Sequence, residues 1–241
     1  THLVQAGALT KAIRAVSAPQ PLAPPDAVRQ QAPDHFPSHA IPKSPPAALR
    51  PLPDSDRLIF QANLTAALQH AKPRTAPGID GTRVEHLRLL RDDPEAMDMF
   101  GRVMFWMPTD DLPAEARDVL LTGRLIPLSK PDGRIRPIVI GTIWRRLAMK
   151  AVGTLWAPKV ADIVRPYQFC TGRKAGAEEL FWATYARLEL DPQLSHTGVD
   201  MTNAFGSLDR AAIWDAVTTL LPELAPWASL ILAHQQTIRW N

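Results

Sequence analysis

Cysteine is nearly absent: Cys170 stands alone in 241 residues. A lone cysteine excludes an internal disulfide and any cysteine-rich zinc site, and it suits a reducing compartment. The seven histidines (His2, His35, His39, His70, His86, His196 and His234) fall at no ligand spacing, so zinc is not expected. Long apolar runs are missing too, and nothing approaches a membrane span. The first residues carry no charged head, compact apolar segment or small-residue cleavage site, so no secretory signal is read. These absences point to an intracellular protein, nuclear or cytoplasmic. Charge of either sign is scarce as a net quantity: +3, with a pI near 9.2, says little about partners by itself.

What the chain has is proline at one end and apolar periodicity in the rest. Residues 1–53 hold 11 of the 24 prolines, with few large apolar side chains between them. Such a stretch buries too little surface to offset its ordering entropy, so residues 1–56 are expected to be a mostly disordered or extended leader, with at most a transient helix over Val4–Val16. Residues 57–123 read as helical. Leu58, Ile59, Ala62, Leu64, Ala67 and Leu68 form one face of a helix ending before Pro73. A turn-rich stretch, Thr75-Ala76-Pro77-Gly78-Ile79-Asp80-Gly81, precedes a helix from about Arg83 to Arg91. Pro94 to Met107 forms another, with Phe100, Val103, Met104 and Met107 as core. A short helix follows Pro113.

Residues 124–241 carry the chemistry. Two β-rich runs, Arg124–Ser129 and Arg134–Ile140, flank Pro131-Asp132-Gly133, which is strong turn chemistry and predicts a hairpin. Side chains alternate along a strand, so Arg134 and Arg136 share a face that Lys130 joins across the turn. Three cations on a two-stranded ribbon suit phosphates. The same pattern suits a solvated edge guarded by charge against aggregation. Between Arg124 and Lys150 seven cations face Asp132 alone, the distribution expected of a phosphate or nucleic-acid contact.

The hairpin leads into an amphipathic helix over residues 142–157. Ile143, Trp144, Leu147, Ala148, Ala151, Val152 and Leu155 form its apolar arc, with Arg145, Arg146 and Lys150 outside it. Those three charges either touch a nucleic-acid backbone or solvate the outer face. Gln168 to Glu179 is a polar, glycine-bearing loop entering a helix, and Arg173 and Lys174 within it can reach phosphate; a plain helix-entry loop fits as well. Finally, Gly198-Val199-Asp200 reads as a short strand ending in a carboxylate, a position that suits a hard metal ion but taken alone is more often a turn or cap residue. Ser207 then caps a helix with Ile213, Trp214, Val217, Leu220 and Leu221 inside.

Taken in order, Ala76-Pro77-Gly78-Ile79-Asp80-Gly81, Leu125 to Ile138, Trp144 to Lys150, Gln168-Phe169, Gly176-Ala177-Glu178, Val199-Asp200-x-x-Asn203-Ala204-Phe205 and Pro222-Glu223-Leu224 resemble a reverse transcriptase, the RNA-directed DNA polymerase of LINE-type (non-LTR) retrotransposons. The resemblance spans roughly residues 73–241. It implies an α+β fold, with helices against a mainly antiparallel sheet: a partial polymerase right hand of fingers and incomplete palm behind the Pro-rich leader. It further implies two-metal nucleotidyl transfer with Mg2+ or Mn2+, two ions in the complete enzyme, and Asp200 as catalytic metal ligand. Lys130 and Arg136, with Arg134 beside them, would hold a deoxynucleoside triphosphate. Asn203, Ala204 and Phe205 would shape its sugar pocket, the ring selecting against a ribose 2′ hydroxyl. RNA template and DNA primer would run past Arg145, Arg146, Lys150, Gln168, Arg173 and Lys174. The chain departs from the family at Cys170-Thr171 and Arg173-Lys174, where relatives carry glycine and small residues, and at Asn203, where some polymerases place an acid.

The family's further carboxylates come from a later Tyr/Phe-x-Asp-Asp hairpin, and no such pair follows Asp200. The expectation is therefore a fragment with little or no polymerase activity alone, and an apolar face open around Leu220, Leu221, Trp227, Leu230 and Leu232. A degenerate, non-catalytic nucleic-acid-binding remnant and a structural protein-interaction piece are the other readings.

Overall fold

A computed structural model describes residues 21–36, 54–109, 112–172, 174–234 and 236–240. Arg173, the Val4–Val16 helix and most of the proline-rich leader lie outside the described residues. The fold is mixed α+β, with several helices packed against a small three-stranded sheet that does not close into a barrel.

The described part of the leader departs from the expected extended chain. Pro25–His35 forms helix α1, with Pro25 in the first turn, where its missing N–H costs nothing. Low apolar content did not prevent this, because α1 docks rather than stands alone: Val28, 2% exposed, packs with Ala23 on Leu125 and Ile135 of the hairpin. The chain just before α1 also pairs with the sheet, through Ala23 N–H to Pro127 C=O at 2.9 Å and Ser129 N–H to Pro21 C=O at 2.9 Å.

The main core is helical. Helix α2, Asp54–His70, buries Phe60, Leu64, Ala67 and Leu68. The expected face was rotated: Leu58 is 64% exposed and Ile59 is exposed as well, because the spacing Phe60, Leu64, Ala67, Leu68 is the one that keeps i, i+4, i+7, i+8 on one side. The short α3, Val84–Leu87, runs into a 3-10 turn over Arg88–Leu90. Helix α4, Pro94–Trp106, is capped by Asp93, which accepts from the N–H groups of Glu95 and Ala96. It buries Met97, Phe100 and Met104 but leaves Val103 exposed. Helix α5, Ala114–Leu121, leads directly into the sheet.

Strands β1, Gly123–Ser129, and β2, Ile135–Ile140, pair antiparallel from Arg124↔Ile140 to Ser129↔Ile135. A two-residue β3, Ile238–Arg239, joins the other edge of β1 in parallel, giving the order β2-β1-β3. Helix α6, Ile143–Val164, runs longer than expected and is the central packing element against α2. Its buried row is Ile143, Leu147, Ala148, Ala151, Val152 and Trp156.

Helix α7, Gly176–Leu190, follows, and then two elements that correct the sequence reading. No strand forms over Gly198–Asp200; the stretch is irregular and exposed, and no neighbouring strand among the described residues offers it backbone partners. Helix α8, Arg210–Leu220, is capped by Asp209, which accepts from Ala212 N–H at 2.9 Å, and not by Ser207. A 3-10 turn, Pro222–Leu224, then feeds α9, Ala225–Leu232. The apolar face expected to lie open here is mostly closed. Trp227 is 0% exposed and stacks on Phe60 with centroids 5.5 Å apart, and Leu221 and Leu230 are buried with it; only Leu220 stays exposed. No helix among the described residues is long and apolar enough to cross a membrane.

Candidate nucleic-acid interface

The hairpin tip is built by its turn. Lys130 C=O accepts from Gly133 N–H at 3.1 Å, and Lys130 N–H donates to Arg134 C=O at 2.8 Å. Gly133 has φ +79°, a left-handed conformation that glycine adopts without strain. This geometry continues the strand register by one pair, Lys130 opposite Arg134, after Leu128 opposite Arg136. Partners in register share a face, so Arg124, Lys130, Arg134 and Arg136 fall on one side of the ribbon. The opposite side, carrying Leu125 and Ile135, is the side that α1 covers. Gln31 of α1 fixes the tip from below: its side chain accepts from Ile135 N–H at 3.0 Å and donates to Gly133 C=O at 3.3 Å.

The cations are not equivalent. Arg136 is solvent-exposed and Lys130 is half-buried. Arg134 is engaged with Asp132, at 2.8 Å from Nε and 2.6 Å from a terminal nitrogen. The Arg134 side chain and then its backbone N–H hold the Asp132 carboxyl below its ordinary range, and Asp132 in turn raises Arg134. An exposed pair of this kind adds little stability, but it neutralises one of the cations that a phosphate would use.

Asp200 sits in the exposed loop after α7. Among the described residues no group of three His, Cys, Asp or Glu side chains is placed to hold a metal ion. Asn203 takes a left-handed φ of +51° and donates through its side-chain amide to the carbonyls of His35 at 3.2 Å and Asp34 at 3.4 Å. The loop is therefore tied to the C-terminal end of α1. Gln31 and His35 are one helical turn apart, about 6 Å along the axis, so the same helix holds the hairpin tip on one turn and the Asn203 loop on the next. Ala204 is half-buried, whereas Phe205 is 94% exposed.

The remaining expected contacts divide. Arg145 does not lie on the outer face of α6: it is partly buried, donates to Leu121 C=O at 3.3 Å, and is pushed below its ordinary value by desolvation. Arg146 reaches back to the turn before α3, donating to Ala76 C=O at 2.9 Å and Thr75 Oγ1 at 3.3 Å. Both arginines turn inward because the Pro77-Gly78 turn packs directly against the start of α6; a methyl at Gly78 would stand 2.6 Å from Thr142 Cα. Lys150, Gln168 and Lys174 are exposed, and Gln168 accepts from Cys170 N–H at 2.8 Å within its own turn. Among the described residues no hydrogen bond or ion pair ties these three to the hairpin.

Sequence reasoning missed Gln31 and α1 as the organisers of this surface. The available signal was Pro24-Pro25-Asp26, a helix start, followed by an apolar residue at Val28. No family model matches the chain, and no curated protein matches it.

Proposed function

We propose that this chain is the fingers and first palm portion of an RNA-directed DNA polymerase of the non-LTR retrotransposon type, acting on an RNA template and DNA primer in the nucleus or cytoplasm. The observation that supports it is the hairpin: one face packed on α1, the other carrying Arg124, Lys130, Arg134 and Arg136 in register, with Arg134 and Arg136 exposed to solvent. A rigid ribbon with cations in register can bind the phosphates of a nucleotide or a strand. Lys130 and Arg136 are its leading contacts, and Asn203, the residue before Ala204 and Phe205, is bonded to the C-terminal end of α1. Among the described residues Asp200 belongs to no group of three or more His, Cys, Asp or Glu side chains placed to hold magnesium or manganese. No chemical step is assigned to this chain on its own.

The same cationic face supports a second reading, a nucleic-acid-binding protein without chemistry. Primer extension on an RNA template separates the two. The chain is compared with a version continued through any downstream coding sequence, and with Asp200→Ala of that version. Extension by the longer protein alone, abolished by Asp200→Ala, supports the polymerase. Salt-sensitive RNA binding with no extension by either supports the binder. In both cases Arg136→Gln should weaken binding and flatten its salt dependence by about one phosphate contact; unchanged binding would remove the hairpin from the interface.

A further inference from the structure

Arg145 and Arg146 line a cleft that the hairpin face does not use. It lies where the Thr75–Gly78 turn, the end of β2 and the first turns of α6 meet, an open groove of about 410 Å³ lined by Ala76, Val139, Ile140, Met149 and the two arginines. The walls are held in place from both sides. Gly78 lets the turn touch the backbone at Thr142, and a side chain at Gly141 would collide with the Arg145 guanidinium.

The charge in this cleft is uncompensated. The acceptors of Arg145 and Arg146 are carbonyls and one hydroxyl. Arg102, Arg134, Lys159 and Arg165 each pair with a carboxylate; among the described residues neither cleft arginine does. A guanidinium stays protonated and carries five N–H donors, so most of the donor capacity here is unspent by these bonds. Desolvating cations without a counter-charge is costly, and an anion entering the cleft offsets that cost. The other walls, Ala76, Val139, Ile140 and Met149, are apolar and suit the body of a small molecule rather than bare ion solvation.

We propose that this cleft binds a phosphate monoester, its phosphate between Arg145 and Arg146 and its planar or apolar body against Val139, Ile140 and Met149. Two cations favour a group carrying close to two negative charges at neutral pH, which a monoester does and a carboxylate or a strand's internal phosphodiester does not. The assignment is independent of the polymerase reading, which rests on the hairpin. The monoester belongs either to a free small molecule or to the 5′ end of a strand.

Calorimetric titration of the whole chain tests it, with adenosine 5′-monophosphate, inorganic phosphate and adenosine as probes. The monophosphate should bind at least tenfold more tightly than either adenosine or phosphate. Arg146→Met should weaken it at least tenfold. Ala76→Leu, which fills the cleft but keeps both guanidiniums, should do the same with an unchanged melting temperature. A 5′-phosphorylated oligonucleotide that competes better than its 5′-hydroxyl form assigns the site to a strand end; equal, weak competition assigns it to a free small molecule. Adenosine binding as well as its monophosphate, no binding at millimolar concentration, or binding that survives Ala76→Leu in a folded protein would each overturn the proposal. So would loss of binding in Arg136→Gln with Arg146→Met unaffected, which would move the phosphate to the hairpin.

Discussion

At the scale of single residues, the hairpin tip shows how one carboxylate sets the balance between turn stability and ligand binding. Asp132 accepts from both the side chain and the backbone N–H of Arg134, so it organises the turn while neutralising a cation. Asp132→Asn should tighten RNA binding and steepen its log–log salt slope by about 0.7, the increment for one further single-strand phosphate contact. An unchanged slope would mean that Arg134 faces no phosphate. The pH dependence follows from the depressed carboxyl. The turn contribution of Asp132 is fully present above its ordinary value of 3.8, and it is lost as pH falls through the lower folded value. The Arg134 Nε–H resonance followed by NMR should therefore keep its bonded position below pH 3.8 and move only in stronger acid; a midpoint at or above the ordinary value would contradict the pairing. This pair was half legible in the sequence. Pro131-Asp132-Gly133 announced the turn and alternation put Arg134 with Arg136, but alternation is blind to a bond between residues two apart within the turn.

Among the elements, legibility followed how much each depends on partners. Helix α4 came through near its expected bounds and α6 at its expected start, because their apolar period is carried by many residues and capped by Asp93 and Thr142; α6 then continues seven residues past its expected end. The face of α2 was misassigned because Leu58 and Ile59 are as apolar as Phe60; the spacing from Phe60 to Leu64, Ala67 and Leu68 is the one buried, and Trp227 and Phe105 pack on Phe60 there. Val199 and Asp200 form no strand because a strand is a property of a pair, and no partner strand is present among the described residues. Helix α7 is the converse case. It forms, yet Leu180, Phe181, Trp182 and Tyr185 all remain exposed, the three rings touching mainly one another. A helix of 15 residues without tertiary packing is marginal in water. Its amides should exchange with deuterium at least a hundredfold faster than those of α6 over Leu147–Val152, where the helix is buried. Equal protection would show that α7 is covered in solution.

At the scale of the molecule, most of the buried apolar residues among those described form two clusters that share no member. The larger joins α2, α4, α6 and α9 around Phe60, Met104, Ala151 and Trp227; the smaller holds α1 to the hairpin through Ala23, Val28, Leu125 and Ile135. The candidate phosphate-binding face lies on the smaller unit, so its rigidity depends on α1, an element that the proline content concealed. The two units also differ spectroscopically. Trp156 and Trp227 are buried in the larger cluster, whereas residues 21–36 and 123–140 contain no tryptophan. If the small cluster yields first, denaturant unfolding followed by far-ultraviolet circular dichroism should begin before the change in tryptophan fluorescence, a departure from two-state behaviour. Val28→Ala removes two buried methyl groups, about 1.5 kcal/mol at roughly 0.8 kcal/mol each. It should advance the early dichroism change and leave the fluorescence midpoint where it was. RNA binding should weaken in parallel, because a hairpin released from α1 loses the packing and the Gln31 bonds that hold its tip rigid. Coincident transitions that shift together in Val28→Ala would instead mean that α1 and the hairpin fold as one cooperative unit with the helical core.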